Sequence, residues 1–144
     1  SLLKYPNVGL AIDPEWRLKP GQRHLAQIGQ VDSSEINETT EWLAELTRDN
    51  KLPQKIVVPH QFQNRMITDR DELDTTHPEL ALVIHADGHG THSMKLETWR
   101  ALRQNAPEGV FWAWKNFIDE DSPTMTPEET MTEVKPAPVL ISYQ

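Results

Sequence analysis

The nine residues from Val8 to Trp16, VGLAIDPEW, decide how the chain reads. A short apolar run delivers two carboxylates, Asp13 and Glu15, two residues apart. On a strand, that spacing projects both side chains from one face. Gly9, Ala11, Asp13 and Glu15 share one parity, and Val8, Leu10 and Ile12 share the other. Small residues leading to acids suit a crowded sheet interior, whereas large aliphatics suit packing under helices. Pro14 lacks a backbone donor, which is tolerable where a strand leaves its sheet. Two carboxylates held this close resist joint ionisation, so one keeps its proton to higher pH and can act as a general acid. The same pattern also fits a solvated acidic strand end or a pair of helix caps.

Outward from this stretch the layout repeats. Further apolar runs at Lys55 to His60, Leu80 to Ala86, Gly109 to Trp114 and Pro138 to Tyr143 read as strands, giving five with Val8 to Asp13. Near-continuous runs such as IVV and LALVI suit strands covered on both faces, the habit of parallel sheets. Three helices lie between them. The first follows Asp32, Ser33 and Ser34, any of which could cap it, carries Ile36, Thr40, Leu43 and Leu46 at helical spacing, and stops near Asn50 and Pro53. The second runs from about Ser93 to Asn105 on a stripe of Leu96, Trp99 and Leu102. The third opens at Thr126, Pro127 and Glu129, a capping box with proline at the first helical position, and lasts until about Glu133. A minor helical turn is expected over Asp71 to Asp74. The alternation calls for right-handed parallel crossovers. The expected fold is α/β, a parallel (β/α) barrel present in part, with about five strands in a single domain over residues 1–144.

Composition bounds the function. The 144 residues fall short of the roughly 250 typical of a closed eight-stranded α/β barrel. With 14 basic and 22 acidic residues the net charge is -8, and no Lys/Arg cluster offers phosphate a footprint, so nucleic acid is not expected as a partner. The absence of cysteine removes disulfides and thiolate zinc ligation and leaves cytosolic and extracellular homes open. No apolar run approaches the roughly 20 residues of a membrane span. The chain starts at Ser1 without an initiator Met or an apolar secretory core, and a processing boundary is expected there.

Polar and aromatic groups collect where the strands end. VIHADGHGTH closes the third strand; His85 and Asp87 share the parity of Ala81 and Val83, which puts them on the side of the acid pair if the sheet curls. Gly88 and Gly90 allow a tight turn after it. His60 and Gln61 close the second strand, Trp112, Trp114 and Lys115 the fourth, and Tyr143 and Gln144 the last. Ala113 and Lys115 fall on one side and the two tryptophans on the other, so Trp112 is expected beneath a helix. For Trp16 and Trp114, a platform for sugar rings and plain core packing both remain open. His85, Asp87, His89 and His92 could instead ligate zinc or manganese, although their spacing matches no established metal motif. Asp119, Glu120 and Asp121 read as a solvated loop.

With these residues in place, the chain resembles a segment of a (β/α)8 barrel of the glycoside hydrolase type. In family 18 chitinases and family 25 lysozyme-like hydrolases a D-x-E pair closes the fourth strand, and Asp13-Pro14-Glu15 matches that triplet with four more strands after it. The segments GLAIDPEW, GQVDSSEIN, VVPHQF, VIHADGHG, WAWKNF and LISYQ also resemble a group of actinobacterial secreted or lipoprotein-like barrel proteins of unassigned activity. The longer chitinase signature departs here, since Val8 and Ala11 stand where it has upstream acids.

The resemblance implies strands four to eight of a barrel. It also implies Glu15 as the acid, Asp13 as its tuning neighbour and Asp87 as the second carboxylate. Trp16, His60, Gln61, His85, Trp114, Lys115, Tyr143 and Gln144 would bind substrate. No cofactor is implied. The expected activity is hydrolysis of a cell-wall or other extracellular polysaccharide, with the protein outside the cell or in its envelope. The expected partners are carbohydrate and either the remaining N-terminal half of the barrel or a second copy. A non-catalytic carbohydrate-binding barrel, and a metal-dependent hydrolase built on His85, Asp87 and His89, are the alternatives.

Overall fold

Seven strands and three helices follow one another through residues 1–144 of the computed structural model. The strands are β1 (Leu10–Ile12), β2 (Val31–Asp32), β3 (Lys55–Gln61), β4 (Ile67–Thr68), β5 (Leu80–Ala86), β6 (Phe111–Asn116) and β7 (Leu140–Tyr143). The helices are α1 (Ser33–Asp49), α2 (His92–Arg103) and α3 (Pro127–Glu133). Five strands form one sheet in the order β1-β3-β5-β6-β7, every pair parallel, while β2 and β4 form a separate parallel ladder. The five expected strands and three helices are therefore present, and the small β2–β4 ladder is additional. No ladder joins β1 to β7, so the sheet has two free edges and is not a closed barrel.

Local chemistry sets the element ends. The Asp32 carboxylate accepts from Ser34 N at 3.0 Å and caps α1, and the Thr91 hydroxyl accepts from Met94 N and caps α2. Thr126 and Glu129 form the expected capping box on α3. The minor turn after β4 is a 3-10 helix over Arg70–Glu72.

The two faces of the sheet differ. One packs under the helices: Val57 and Leu82 join Ile36 and Leu43 of α1, while Ala86 and Trp114 join Trp99 and Leu102 of α2. Each such large side chain contributes roughly 1.5 to 3 kcal/mol on burial. The opposite face holds only a small cluster, Val58, Val83 and Ala113. Its neighbours by strand parity and register, Ile56 and Phe111, are 47% and 49% exposed, and Leu140 is also exposed. Small residues such as Ala11 and Ala81 sit on this same face, the arrangement a concave sheet interior needs.

Candidate functional site

The largest cleft in the molecule, about 600 Å³, lies at the carboxyl ends of the parallel strands. In open parallel sheets that end is where ligands bind. Asp13, Glu15, Trp16, His60, Asp87, Lys115 and Gln144 all line it, together with Phe62, Gln63, His89, Thr98 and Phe117.

Asp13 and Glu15 reach the cleft by a route that strand parity does not describe. β1 ends at Ile12, and Pro14–Trp16 forms a single 3-10 turn capped by Asp13, whose carboxylate accepts from Glu15 N at 3.2 Å. The fixed φ of Pro14 favours this turn at its first position. The turn, with Asp13 as its cap, brings both acids to one side and leaves the Trp16 indole 55% exposed at the rim.

Asp87 follows β5 and is buried. Its carboxylate meets His60 Nδ1 at 3.1 Å through one oxygen and Lys115 Nζ at 2.8 Å through the other. An ionised carboxylate only accepts, so Nδ1 of His60 carries the proton of that bond. Burial alone would raise the Asp87 carboxyl, but the hydrogen bonds and charges of His60 and Lys115 outweigh it and hold the group below its ordinary value. Glu15 moves the other way: burial, then repulsion from Asp13 and Asp87, raise its carboxyl against a smaller pull from Lys115. Each of Asp13, Glu15 and Asp87 brings an oxygen to within 4.8 Å of the other two. Two neighbouring carboxyls displaced in opposite directions are the kind of pair that acid/base chemistry uses.

His85 lies beneath this layer. Its ring tilts against His60 with centroids 4.7 Å apart, and Nε2 meets Ser142 Oγ of β7 at 3.0 Å. Burial, then the neighbouring His60, depress its pKa to about 4, so the imidazole is neutral near neutral pH. It supports the site and does not line the cleft.

Three expected site residues lie elsewhere. Gln61 is fully buried on the helix-facing side, where its Oε1 accepts from Arg70 Nη1 at 2.8 Å; adjacent strand positions face opposite ways, so it cannot accompany His60. Trp114, 1% exposed, packs edge-on against Trp99 and donates Nε1–H to Asn116 Oδ1, so it is core and no sugar platform. Tyr143 alternates with Ser142 and turns its hydroxyl to the Met125 carbonyl, away from the cleft.

The histidine cluster also changes membership. His60, His85 and Asp87 are the trio whose donor atoms converge within 4.8 Å, whereas His89 sits edge-on to Phe117 and His92 meets the Pro123 carbonyl. A divalent cation has two sets of donors here, this trio and the three carboxylates, and both include Asp87. Lys115 already supplies positive charge to that shared ligand.

Lys95 and Asp121 carry a role that their charges conceal in the sequence. Both are buried and paired; Lys95 Nζ also donates to the Lys115 carbonyl at 2.8 Å, and Asp121 accepts from Gly90 N and Phe117 N. This network ties the loop after β5 to the end of β6, on either side of the Asp87–Lys115 pair. Asp121 is thus no part of a solvated loop. A readable signal existed for its partner: Lys95 stands four residues before Trp99 and seven before Leu102, on the buried stripe of α2.

No protein-family model, curated protein or solved structure matches the chain.

Proposed function

We propose that the chain forms the acid/base part of a glycoside hydrolase-like barrel that acts on an extracellular or cell-wall polysaccharide, outside the cell or at its envelope. The observation that carries this reading is the opposite displacement of two carboxyls, Glu15 upward and Asp87 downward, in one cleft beside an exposed indole. Glu15, in its protonated form, donates that proton to the glycosidic oxygen as the bond to the anomeric carbon breaks. Asp87, ionised, attacks that carbon and forms a glycosyl ester. Water, losing its proton to the Glu15 carboxylate, then cleaves the ester and restores both groups. Carboxyl groups roughly 5 to 5.5 Å apart favour this retaining course over inversion, which needs room for a water. The convergence of the Glu15 and Asp87 oxygens within 4.8 Å fits the shorter spacing. Asp13 tunes Glu15 by repulsion, and Trp16 offers a face for a sugar ring.

The partner is the remaining half of a barrel or a second copy. Free parallel edges at β1 and β7, and apolar Ile56, Phe111 and Leu140 exposed on the unhelical face, support an additional set of strands there. A stable, monodisperse 16.5 kDa monomer with protected β1 and β7 amides would argue against it.

Release of reducing ends from a panel of labelled polysaccharides tests the activity. Glu15→Gln and Asp87→Asn are expected to lower turnover by roughly 100- to 10,000-fold, the usual contribution of a positioned acid. Unchanged turnover in Glu15→Gln ends the hydrolase reading. Metal-dependent hydrolysis is the second reading, favoured by the three converging carboxylates, and loss of activity on chelation with recovery on added manganese or zinc would select it.

A further inference from the structure

We infer that the cleft continues as a groove along α2 that binds an extended, uncharged polysaccharide chain; this rests on the hydrolase reading above. A second depression of about 370 Å³ adjoins the cleft and shares Phe62, Gln63 and Thr98 with it. Beyond them it runs over Asn64 and along α2 past Met94 and Glu97.

Gly88 stands at the junction. A Cβ on it would come within 3.4 Å of Phe62 Cβ and 3.6 Å of Thr98 Cγ2, two of the three shared residues. A Cβ there would sit in ordinary contact with both, and a side chain larger than alanine would crowd residues that the cleft and the groove share.

The lining suits a chain of neutral sugars. Phe62 and the exposed Met94 thioether offer apolar surface to the CH faces of rings, and the latter adapts to irregular shapes. The Gln63 and Asn64 amides and the Thr98 hydroxyl can exchange hydrogen bonds with ring hydroxyls. No Lys or Arg lines the groove, and the cleft's one ammonium, Lys115, is paired with Asp87. A polyuronate would meet Glu97, Asp13 and Asp87 without a free cation, whereas a neutral chain meets no such repulsion.

Chemical-shift mapping on ¹⁵N-labelled protein provides the test, with neutral cello- and chito-oligosaccharides from disaccharide to hexasaccharide and an oligogalacturonate series as probes. Disaccharides are expected to move the amides of Asp13, Glu15, Trp16 and residues 87–89, with no change at the residues that line the groove alone. Longer neutral chains are expected to move those of Asn64, Met94, Glu97 and Ala101, which line the groove alone, as well, with affinity rising about tenfold along the series. Ala101→Trp, on the exposed side of the groove, is expected to abolish that rise. Shifts confined to the first set at every length overturn the groove and leave the hydrolase reading standing. Tighter binding of oligogalacturonate overturns the uncharged class. Failure of every oligomer of both series to bind removes the hydrolase reading, and the groove with it.

Discussion

Lys95 Nζ donates to the main-chain carbonyl of Lys115 at 2.8 Å, so a buried ammonium on α2 holds the strand end from which Lys115 reaches Asp87. The same ammonium is paired with Asp121, and burial pulls the Lys95 pKa below its ordinary value against that pairing. Removing Lys95 leaves Asp121 charged and buried with only the Gly90 and Phe117 amides to hold it. Lys95→Met is therefore expected to lower the unfolding free energy by about 3 to 5 kcal/mol in urea titrations. A loss under about 1 kcal/mol, the scale of exposed pairs, would show that water reaches Asp121.

His85 makes the fold acid-sensitive. Its pKa is 6.5 ordinarily and about 4 in the folded chain, so between those values the unfolded chain binds a proton that the folded one refuses. Stability due to His85 is complete above 6.5 and is lost as the pH falls toward 4, by roughly 3 kcal/mol at about 1.4 kcal/mol per pKa unit. His85→Gln keeps a partner for Ser142 and cannot titrate. Urea midpoints measured across this range are expected to show the wild-type advantage shrinking with acidity. A difference independent of pH would place the His85 ionisation near its ordinary value.

Glu15 works with the opposite sign. Its raised carboxyl binds a proton more tightly in the folded chain than in the unfolded one, so above its ordinary value of 4.5 the group costs stability as it ionises. Glu15→Gln is expected to make the protein slightly more stable than wild type at neutral pH, with the gap closing once both states hold the proton. Solvent screening keeps the gain small, because much of the side chain is wet. A variant less stable at neutral pH would show that Glu15 makes a structural contact stronger than its repulsion from Asp13 and Asp87.

Most of the fold was legible because its signals are local. The run from Leu80 to Ala86 matches β5 at both ends, since a strand buried on both faces is near-continuously apolar, here with His85 as the one polar residue. Thr126 and Glu129 mark α3 by a capping box that needs nothing outside the helix. Elsewhere, the start of α2 falls one residue before Ser93, because the Thr91 hydroxyl takes the capping position. In the site, parity separates the expected residues that line the cleft from those that do not. His60, Asp87 and Lys115 share the face away from the helices, while Gln61, Trp114 and Tyr143 occupy alternate positions that the pleat turns to the other side. The β2–β4 ladder and the Lys95–Asp121 pair depend on contacts between distant segments, and two-residue strands and buried charges leave little pattern in a single sequence.

Gly29 fixes the turn that presents Glu15 and Trp16, and its substitution separates site geometry from site chemistry. Its N–H donates to the Glu15 carbonyl at 2.8 Å, and a Cβ on it would lie 2.3 Å from the Pro14 oxygen, 2.5 Å from the Glu15 oxygen and 2.7 Å from Arg17 N. All three atoms are backbone, so no rotamer change relieves the clash, and the 3-10 turn itself must move. Gly29→Ala is expected to cost about 1 to 3 kcal/mol, as overpacking does, although no ionisable group is altered. Because burial first, and then repulsion from Asp13 and Asp87, raises the Glu15 carboxyl, displacing the turn is also expected to bring it back toward 4.5. Carboxyl ¹³C titration of the variant reads that shift directly. A Glu15 titration identical to wild type would mean that the turn holds its place without Gly29, and that some other contact positions the acid.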